Sequence, residues 1–275
     1  MSRMIAIADD LSGAAETAAA LSGPAGGQGA LRRDSVVLCW PGAVIDSEHS
    51  IIVFDTDTRV GGARSAAASL RRALAAAGNG VPLFKKIDSQ LRGNTEAELV
   101  ELAASHRLAV ACALPALGRT VVGGNLQLSN GRVVAVRSVV GQPTSIVELH
   151  TVHQGVNAVV EAVRDALARD TVPILDSQSD ADLDIIASAL LSVDGVALVG
   201  SGGLAAAVGR TRSSVAGRTA PARVVSGVHP PITVVVGTTE TSVGHQLEFL
   251  KQQGIPVVRS TKPESTGRLE VLTAS

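Results

Sequence analysis

Short apolar runs rich in Val and Ile alternate along this chain with Ala-rich segments of helical pattern, and this alternation narrows the fold more than any other feature. The apolar runs lie at residues 4–8, 35–39, 51–54, 82–87, 108–114, 173–176, 196–200 and 232–237, and the helical segments at 14–21, 61–77, 94–105, 156–169, 180–193, 204–208 and 242–253. Runs so short and so rich in β-branched residues suit strands buried on both faces. A helix between successive strands is the connection that a parallel pair requires. The expected fold is therefore α/β, a mostly parallel sheet flanked by helices. A chain of 275 residues can bury a sizeable core, but this one holds three Phe, one Trp and no Tyr, so Ala, Val, Leu and Ile must fill it.

Two stretches break the rhythm. Residues 120–140 place the turn signal Ser129-Asn130-Gly131 between two β-rich runs, which predicts a hairpin, expected at one edge of the sheet. Residues 211–231 are rich in Ser, Arg, Gly and Pro with little periodicity and read as a linker. The expected domains are residues 1–210 and, beyond the linker at 211–231, residues 232–275, which carry one strand, a helix around 246–253 and a short strand at 256–259. A piece that small rarely stands alone without disulfides or metals, so it is expected to be an incomplete second domain.

Composition removes several function classes. Scarce aromatics exclude a base-stacking surface, and a net charge of −1 gives no electrostatic case for nucleic acid, so no nucleic-acid partner is expected. No apolar stretch reaches the roughly 18 to 20 residues of a membrane span. Nothing at the N-terminus resembles a signal peptide, so no membrane partner and a cytoplasmic location are expected. Cys39 and Cys112 each sit alone in an apolar run, as buried small hydrophobes do, and His150 and His153 lack the companions of a metal site. No metal-ligating residue is assigned, and no Walker-type phosphate loop occurs.

The chemistry-bearing residues fall where strands end. Asp9 and Asp10 follow the first apolar run and precede Ser12-Gly13 at a strand-to-helix turn, and in open α/β sheets ligands bind beyond the carboxyl ends of the strands. One acid there can simply cap the helix; two adjacent acids followed by Ser-Gly favour a site. In FKKIDSQLRGNTEAEL, residues 84–99, Lys86, Asp88 and Arg92 offer a cation, a candidate base and a planar fork matched to carboxylate or phosphate, although an ion-paired surface loop would read the same way. Glu96 and Glu98 need no more than the helix dipole to explain them. Arg119 and Thr120 follow another strand in ALPALGRTVVGG, and the glycine turn of LVGSGGLAAAVGR can present backbone N–H groups to an anion. Two patterns compete. Asp55 and Asp57 match the hhhhDxDxT signature of haloacid-dehalogenase phosphatases, but the partners of such a nucleophile are not evident. The Asp9-Asp10 pair is also found in response-regulator receivers, which are far shorter than this chain.

Taken in order, IADDLSGAAETA, DTDTR, KKIDSQLRGN, PALGRTVVGG, ILDSQSDADLDIIA and VGSGGLAAAV resemble the N-terminal domain of the four-carbon acid sugar kinase family, over residues 4–210. Members of that family phosphorylate threonate, erythronate or 3-oxotetronate with ATP. The resemblance implies a small-molecule acid sugar as partner, implies ATP and Mg2+ as cofactors with magnesium arriving on the nucleotide, and leaves homo-oligomerisation open. It implies that Asp10 or Asp88 is the catalytic base and that Arg92, with Lys86, Arg59 or Arg119, holds the substrate carboxylate. Asp9, Ser12, Gly13, Ser89, Gly93, Asn94 and Thr120 are implied to line the same pocket. Against the family pattern DDLTGA, Ser12 replaces Thr and keeps the hydroxyl; against DSTLRGN, Gln90 replaces Thr and removes one. TVVVGTTETSVGHQLEFL resembles the start of the family's nucleotide-binding domain, with Gly237 and Thr238 as candidate cofactor-binding residues, while the later GGDTA-like and GxFG-like motifs do not occur in the sequence. Kinase activity is therefore expected to be impaired in this chain alone, and the alternative is an acid-sugar-binding protein without turnover.

Overall fold

Every apolar run before residue 210 becomes a strand of one sheet. The structure, a computed structural model, describes residues 3–23, 35–39, 49–78, 80–215, 232–236, 241–254, 257–260 and 269–274. It divides into two units, Met1–Ala222 and Arg223–Ser275.

In the first unit the strands are β1 (Met4–Ala8), β2 (Ser35–Cys39), β3 (Ile51–Asp55), β4 (Leu83–Lys86), β5 (Arg107–Ala111), β6 (Thr120–Val122), β7 (Asn125–Gln127), β8 (Val133–Ala135), β9 (Thr144–Val147), β10 (Val172–Leu175) and β11 (Val196–Gly200). Eight of them form a sheet in the order β2-β3-β1-β4-β11-β5-β10-β9, and every registered pair in it is parallel. The helices are α1 (Leu11–Leu21), α2 (Ala63–Ala77), α3 (Thr95–Ala103), α4 (Leu149–His153), α5 (Val156–Ala168), α6 (Asp180–Leu190) and α7 (Gly202–Val215).

Alternation along each strand feeds two cores. Met4, Ala6 and Ala8 pack with Ala14 and Leu21 of α1 and with residues of α5, α6 and α7, whereas Ile5 and Ile7 pack with Leu70 of α2 and Leu99 and Leu102 of α3. Both faces of the sheet are thus covered, which is why its strands read as unbroken apolar runs. A core without large aromatics needs close backbone approach. At the α1–α7 contact a Cβ on Gly209 would lie 2.0 Å from the Ala20 carbonyl oxygen, so only glycine lets these helices meet as they do.

The structure amends the sequence expectations at several points. Residues 120–140 do form hairpins, but β6, β7 and β8 make a three-stranded antiparallel sheet of their own. A single bridge from Val121 to Ser177 ties it to the end of β10, because the inward-facing Val121 and Leu126 are buried in the α2–α3 core instead of extending the main sheet. The edge strand β9 was not expected; its sequence Thr-Ser-Ile-Val is too polar for the apolar-run criterion, as an edge strand can be. Helix α7 continues to Val215, so the first residues assigned to the linker are helical, and residues 216–231 lie outside the described ones.

The second unit contains β12 (Ile232–Val236), α8 (Thr241–Gln252), β13 (Val257–Ser260) and β14 (Leu269–Ala274), with β14 central and antiparallel to both neighbours. The first three match expected elements, and β14 was not expected. Among the described residues, no helix is long and apolar enough to cross a membrane.

Candidate functional site

The carboxyl ends of β3, β1, β4 and β11 lie side by side, and the loops leaving them carry most of the residues singled out above. Asp9 and Asp10 leave β1, Arg59 follows β3, Lys86 ends β4, Asp88 and Arg92 occupy the next loop, and Gly202 opens α7 behind β11.

Arg59 is the hub. Its Nε and NH2 donate to the two oxygens of Asp9 at 2.9 and 2.7 Å, and its NH1 donates to Asp10 Oδ2 at 2.8 Å and lies 3.6 Å from Asp88 Oδ1. Asp9 is only 2 % exposed, so the fork of Arg59 neutralises a carboxylate that water does not reach. Burial works against the charge of Arg59, but the bond to Asp9 and the fields of Asp9, Asp10 and Asp88 hold its pKa above the ordinary value. Asp10 also caps α1, accepting the Gly13 N–H at 3.0 Å on its other oxygen. Capping and site geometry therefore coexist in one residue.

The loop after β4 is folded around Asp88. Its carboxylate accepts the backbone N–H groups of Gln90 and Arg92 at 3.0 and 3.1 Å, and Nε and NH2 of Arg92, each at 2.9 Å. Gly93 has φ +82°, and a Cβ there would press within 3.3 Å of Asp9 Oδ2, so glycine is what lets this loop close on the Arg59–Asp9 pair. Asn94 ties the loop to its neighbour by donating to the carbonyls of Thr58 and Gly61 at 2.7 and 2.8 Å.

Two expectations change here. Burial opposes the charge of Asp88, but the bonds from the Arg92 side chain and backbone, with the charges of Arg92 and Arg59, pull its pKa down to about 2. A general base works best with a pKa near the operating pH, whereas the Asp88 carboxylate is held ionised by the loop that it organises. Arg92, expected to hold a substrate carboxylate, instead has its fork on Asp88.

The pH consequence has a definite sign. The folded pKa of Asp88 lies below the unfolded value of about 3.9, so its contribution, about 2 kcal/mol, is fully present above about pH 5 and is lost as pH falls toward 2. Urea unfolding of the parent and of Asp88→Asn is expected to show a stability gap at pH 6 that narrows steadily as pH falls from about 5 toward 2. A gap independent of pH would remove this role from Asp88.

Lysines 85 and 86 go opposite ways. Lys85 enters the α2–α3 side, where its Nζ meets Glu98 Oε2 at 3.0 Å, both side chains 1 % exposed, while Glu98 Oε1 accepts the Thr58 hydroxyl. Lys86 points to the α1–α7 side, where its Nζ meets Glu16 Oε2 at 3.2 Å. A Cβ on Gly13 would lie 3.2 Å from that Nζ, and one on Gly202 would lie 2.2 Å from Glu16 Oε1.

Of the remaining candidates, Arg119 NH1 donates to Ser89 Oγ, so the loop after β5 joins the loop after β4. Thr120 starts β6 and is half-buried; Ser12 is exposed on the first turn of α1. Gly237 and Thr238 lie outside the described residues. The competing patterns find no constellation. Asp55 accepts the Asp57 backbone N–H at 2.9 Å, and burial holds its pKa above the ordinary value. His150 pairs with Glu148 and His153 with Asp182. Among the described residues, no group of three or more His, Cys, Asp or Glu side chains is arranged to hold a metal. Burial pushes the Cys112 thiol up to about 12, as befits a core residue, while the Cys39 side chain lies outside what is described.

Sequence reasoning missed Glu16 and Asp176. Asp176 is 2 % exposed and accepts the N–H groups of Gly123 and Gly124 at 2.7 and 2.9 Å, which anchors the hairpin that follows Arg119. Its signal was the Gly-Gly pair, whose backbone donors require an acceptor. For Glu16 the signal was a lone acid in an Ala-rich helix, three residues beyond Gly13.

The model of the sugar-binding N-terminal domain matches this sequence over residues 4–143 and 132–208, which together span the whole parallel sheet. The chain belongs to the four-carbon acid sugar kinase family, and residues 4–208 match the sugar-binding N-terminal domain. Within this family it is 34 % identical over 272 residues to a D-threonate kinase of Cupriavidus necator, covering 90 % of this chain and 63 % of that protein. It is 31 % identical over 186 residues to a D-threonate kinase of Bordetella bronchiseptica, covering 62 % of this chain and 43 % of that protein. The chain thus spans less than two thirds of the length of these curated relatives. The same α/β fold is seen in a crystal structure of a Bordetella bronchiseptica domain of unknown function, with TM-score 0.63 and 24 % identity over 92 % of this chain and 65 % of that one. That structure is described as a domain-swapped dimer with bound citrate.

Proposed function

We propose that this chain is the acid-sugar-binding part of an ATP-dependent kinase acting on the terminal hydroxyl of a four-carbon acid: threonate, erythronate or 3-oxotetronate. The observation that carries the reading is the joining of Asp9, Asp10, Arg59 and Asp88 at the carboxyl ends of adjacent parallel strands, in a chain 34 % identical to a D-threonate kinase. Citrate, a hydroxy acid, bound to a protein of the same fold is in keeping with it. Asp10, with a quarter of its side chain exposed, accepts the hydroxyl proton; Arg59 fixes its orientation. Ser12, Gly13, Ser89, Gly93, Asn94, Arg119 and Thr120 line the polyol, and Asp88 with Arg92 shapes the loop that covers it.

ATP, when bound, supplies the phosphoryl group, and magnesium comes with it. The described residues offer no metal cluster of their own, so no step is assigned to one. We assign residues 1–210 to acid-sugar binding and 232–275 to the start of the nucleotide-binding domain, with Gly237 and Thr238 toward the nucleotide. Location in the cytoplasm and self-association are part of this proposal, the latter by analogy with the domain-swapped Bordetella dimer.

The test is ATP consumption with a panel of four-carbon acids, run beside calorimetric binding of the same acids. The 275-residue chain is expected to bind a tetronate with little or no turnover, because the later glycine motifs of the family do not occur in it. Robust magnesium-dependent turnover would replace the binding-only expectation with a complete kinase, and binding of no four-carbon acid would sink the reading.

A further inference from the structure

The pairing of Lys86 with Glu16 carries an inference that rests on the acid-sugar reading and deepens it. Among the cations of the site, Arg59 has all three of its nitrogens on Asp9 and Asp10, Arg92 has its fork on Asp88, and Arg119 holds Ser89. Lys86 differs. Its side chain is 5 % exposed, yet among the described residues its ammonium has a single anionic partner, Glu16, whose own side chain is 48 % exposed. A buried ammonium has three donors to satisfy, and a half-exposed glutamate on a helix surface is free to change rotamer.

The surroundings of the Glu16 carboxylate are those of an anion cradle. It lies against Gly202 at the start of the 14-residue α7, so close that a Cβ there would stand 2.2 Å from Oε1 and 3.2 Å from Oε2. Ser201 holds the turn in shape, donating its hydroxyl to the Ala113 carbonyl and accepting the Gly203 N–H. Glycine at 202, a buried lysine and the first turn of a helix together leave room for a carboxylate and favour its charge.

We propose that Glu16 is an internal stand-in for the substrate's carboxylate: the acid sugar places its carboxylate against Lys86 and Gly202, and Glu16 swings out to solvent. Carboxylate exchanges for carboxylate, so the buried ammonium is never left unpaired, and a neutral sugar alcohol that cannot take over the pair gains nothing. Glu16 and Lys86 then set the preference for acids over the matching polyols.

Calorimetric titration of the full chain with threonate and with threitol, its carboxylate-free analogue, tests this. Glu16→Gln is expected to tighten threonate binding by about two- to fivefold, the worth of a half-exposed ion pair no longer competing. Lys86→Met is expected to weaken it by about tenfold or more. The preference for threonate over threitol is expected to rise in Glu16→Gln and to fall in Lys86→Met. If Glu16 merely holds Lys86 in place, Glu16→Gln weakens threonate binding instead, and the inference is overturned. Threonate affinity indifferent to both substitutions overturns it too while leaving the acid-sugar reading standing. Failure of the parent chain to bind any four-carbon acid overturns both. Should a variant not fold, a crystal structure of the parent with threonate decides. The carboxylate must lie within hydrogen-bond distance of Lys86 Nζ with Glu16 rotated away, and an intact Glu16–Lys86 pair beside bound threonate refutes the exchange.

Discussion

Lys85→Ala is expected to destabilise the chain by about 3–5 kcal/mol, because it strands the Glu98 carboxylate, 1 % exposed, without a counter-charge. The pair itself is no great source of stability, since both ions were taken out of water to form it. Lys85→Met combined with Glu98→Leu should therefore recover most of the loss, as an apolar pair in the α2–α3 core has no desolvation to offset. Urea unfolding of Lys85→Ala and of the double variant measures this directly. A single-variant loss below about 1 kcal/mol would mean that water or a rearranged neighbour reaches Glu98. Threonate binding should survive in the double variant, since Lys85 faces away from the site.

Arg59→Ala is expected to act on stability and binding together. Asp9 loses both of its charge-assisted bonds, Asp10 loses one, and Asp88 loses a nearby cation. The expected cost is about 3 kcal/mol, with acid-sugar binding lost or weakened by about a hundredfold. Adding Asp9→Asn should restore part of the stability, since the stranded charge is then gone, without restoring binding, because Asp10 remains unoriented. Arg59→Lys keeps the charge, but a single ammonium cannot reproduce contacts made by three nitrogens, so it should rescue stability more than affinity. If Arg59→Ala binds threonate as the parent does, the hub has no part in the site and the role falls to Lys86 alone.

How much of this was legible in advance differs from residue to residue. The adjacent acids after β1 announced themselves, because two carboxylates at a strand-to-helix turn exceed what a cap requires. Their partner did not: Arg59 comes 49 residues after Asp10, and only the parallel pairing of β1 with β3 brings it across. In the Lys-Lys-Ile-Asp run the sequence marks two cations and cannot rank them. Strand alternation sends Lys85 to one core and Lys86 to the other, and which face holds a structural acid and which a site depends on the helices packed there. Asp88 and Arg92 were singled out as candidate site residues, but whether a fork turns to a ligand or to an acid four residues away is a matter of loop closure, here permitted by Gly93.

The sequence by itself determined the α/β class, the parallel sheet, the family and the positions at which chemistry collects, because apolar periodicity and residue type are local and the carboxyl ends of strands are fixed by chain direction. The tertiary structure alone decided which charges meet: that Arg59 joins Asp9, Asp10 and Asp88, that Arg92 and its backbone hold the Asp88 pKa down to about 2, and that Glu16 reaches Lys86 beside Gly202. The reason is physical. Ion pairing falls off with distance and depends on desolvation, and both are set by strand order and helix packing, which no local pattern records.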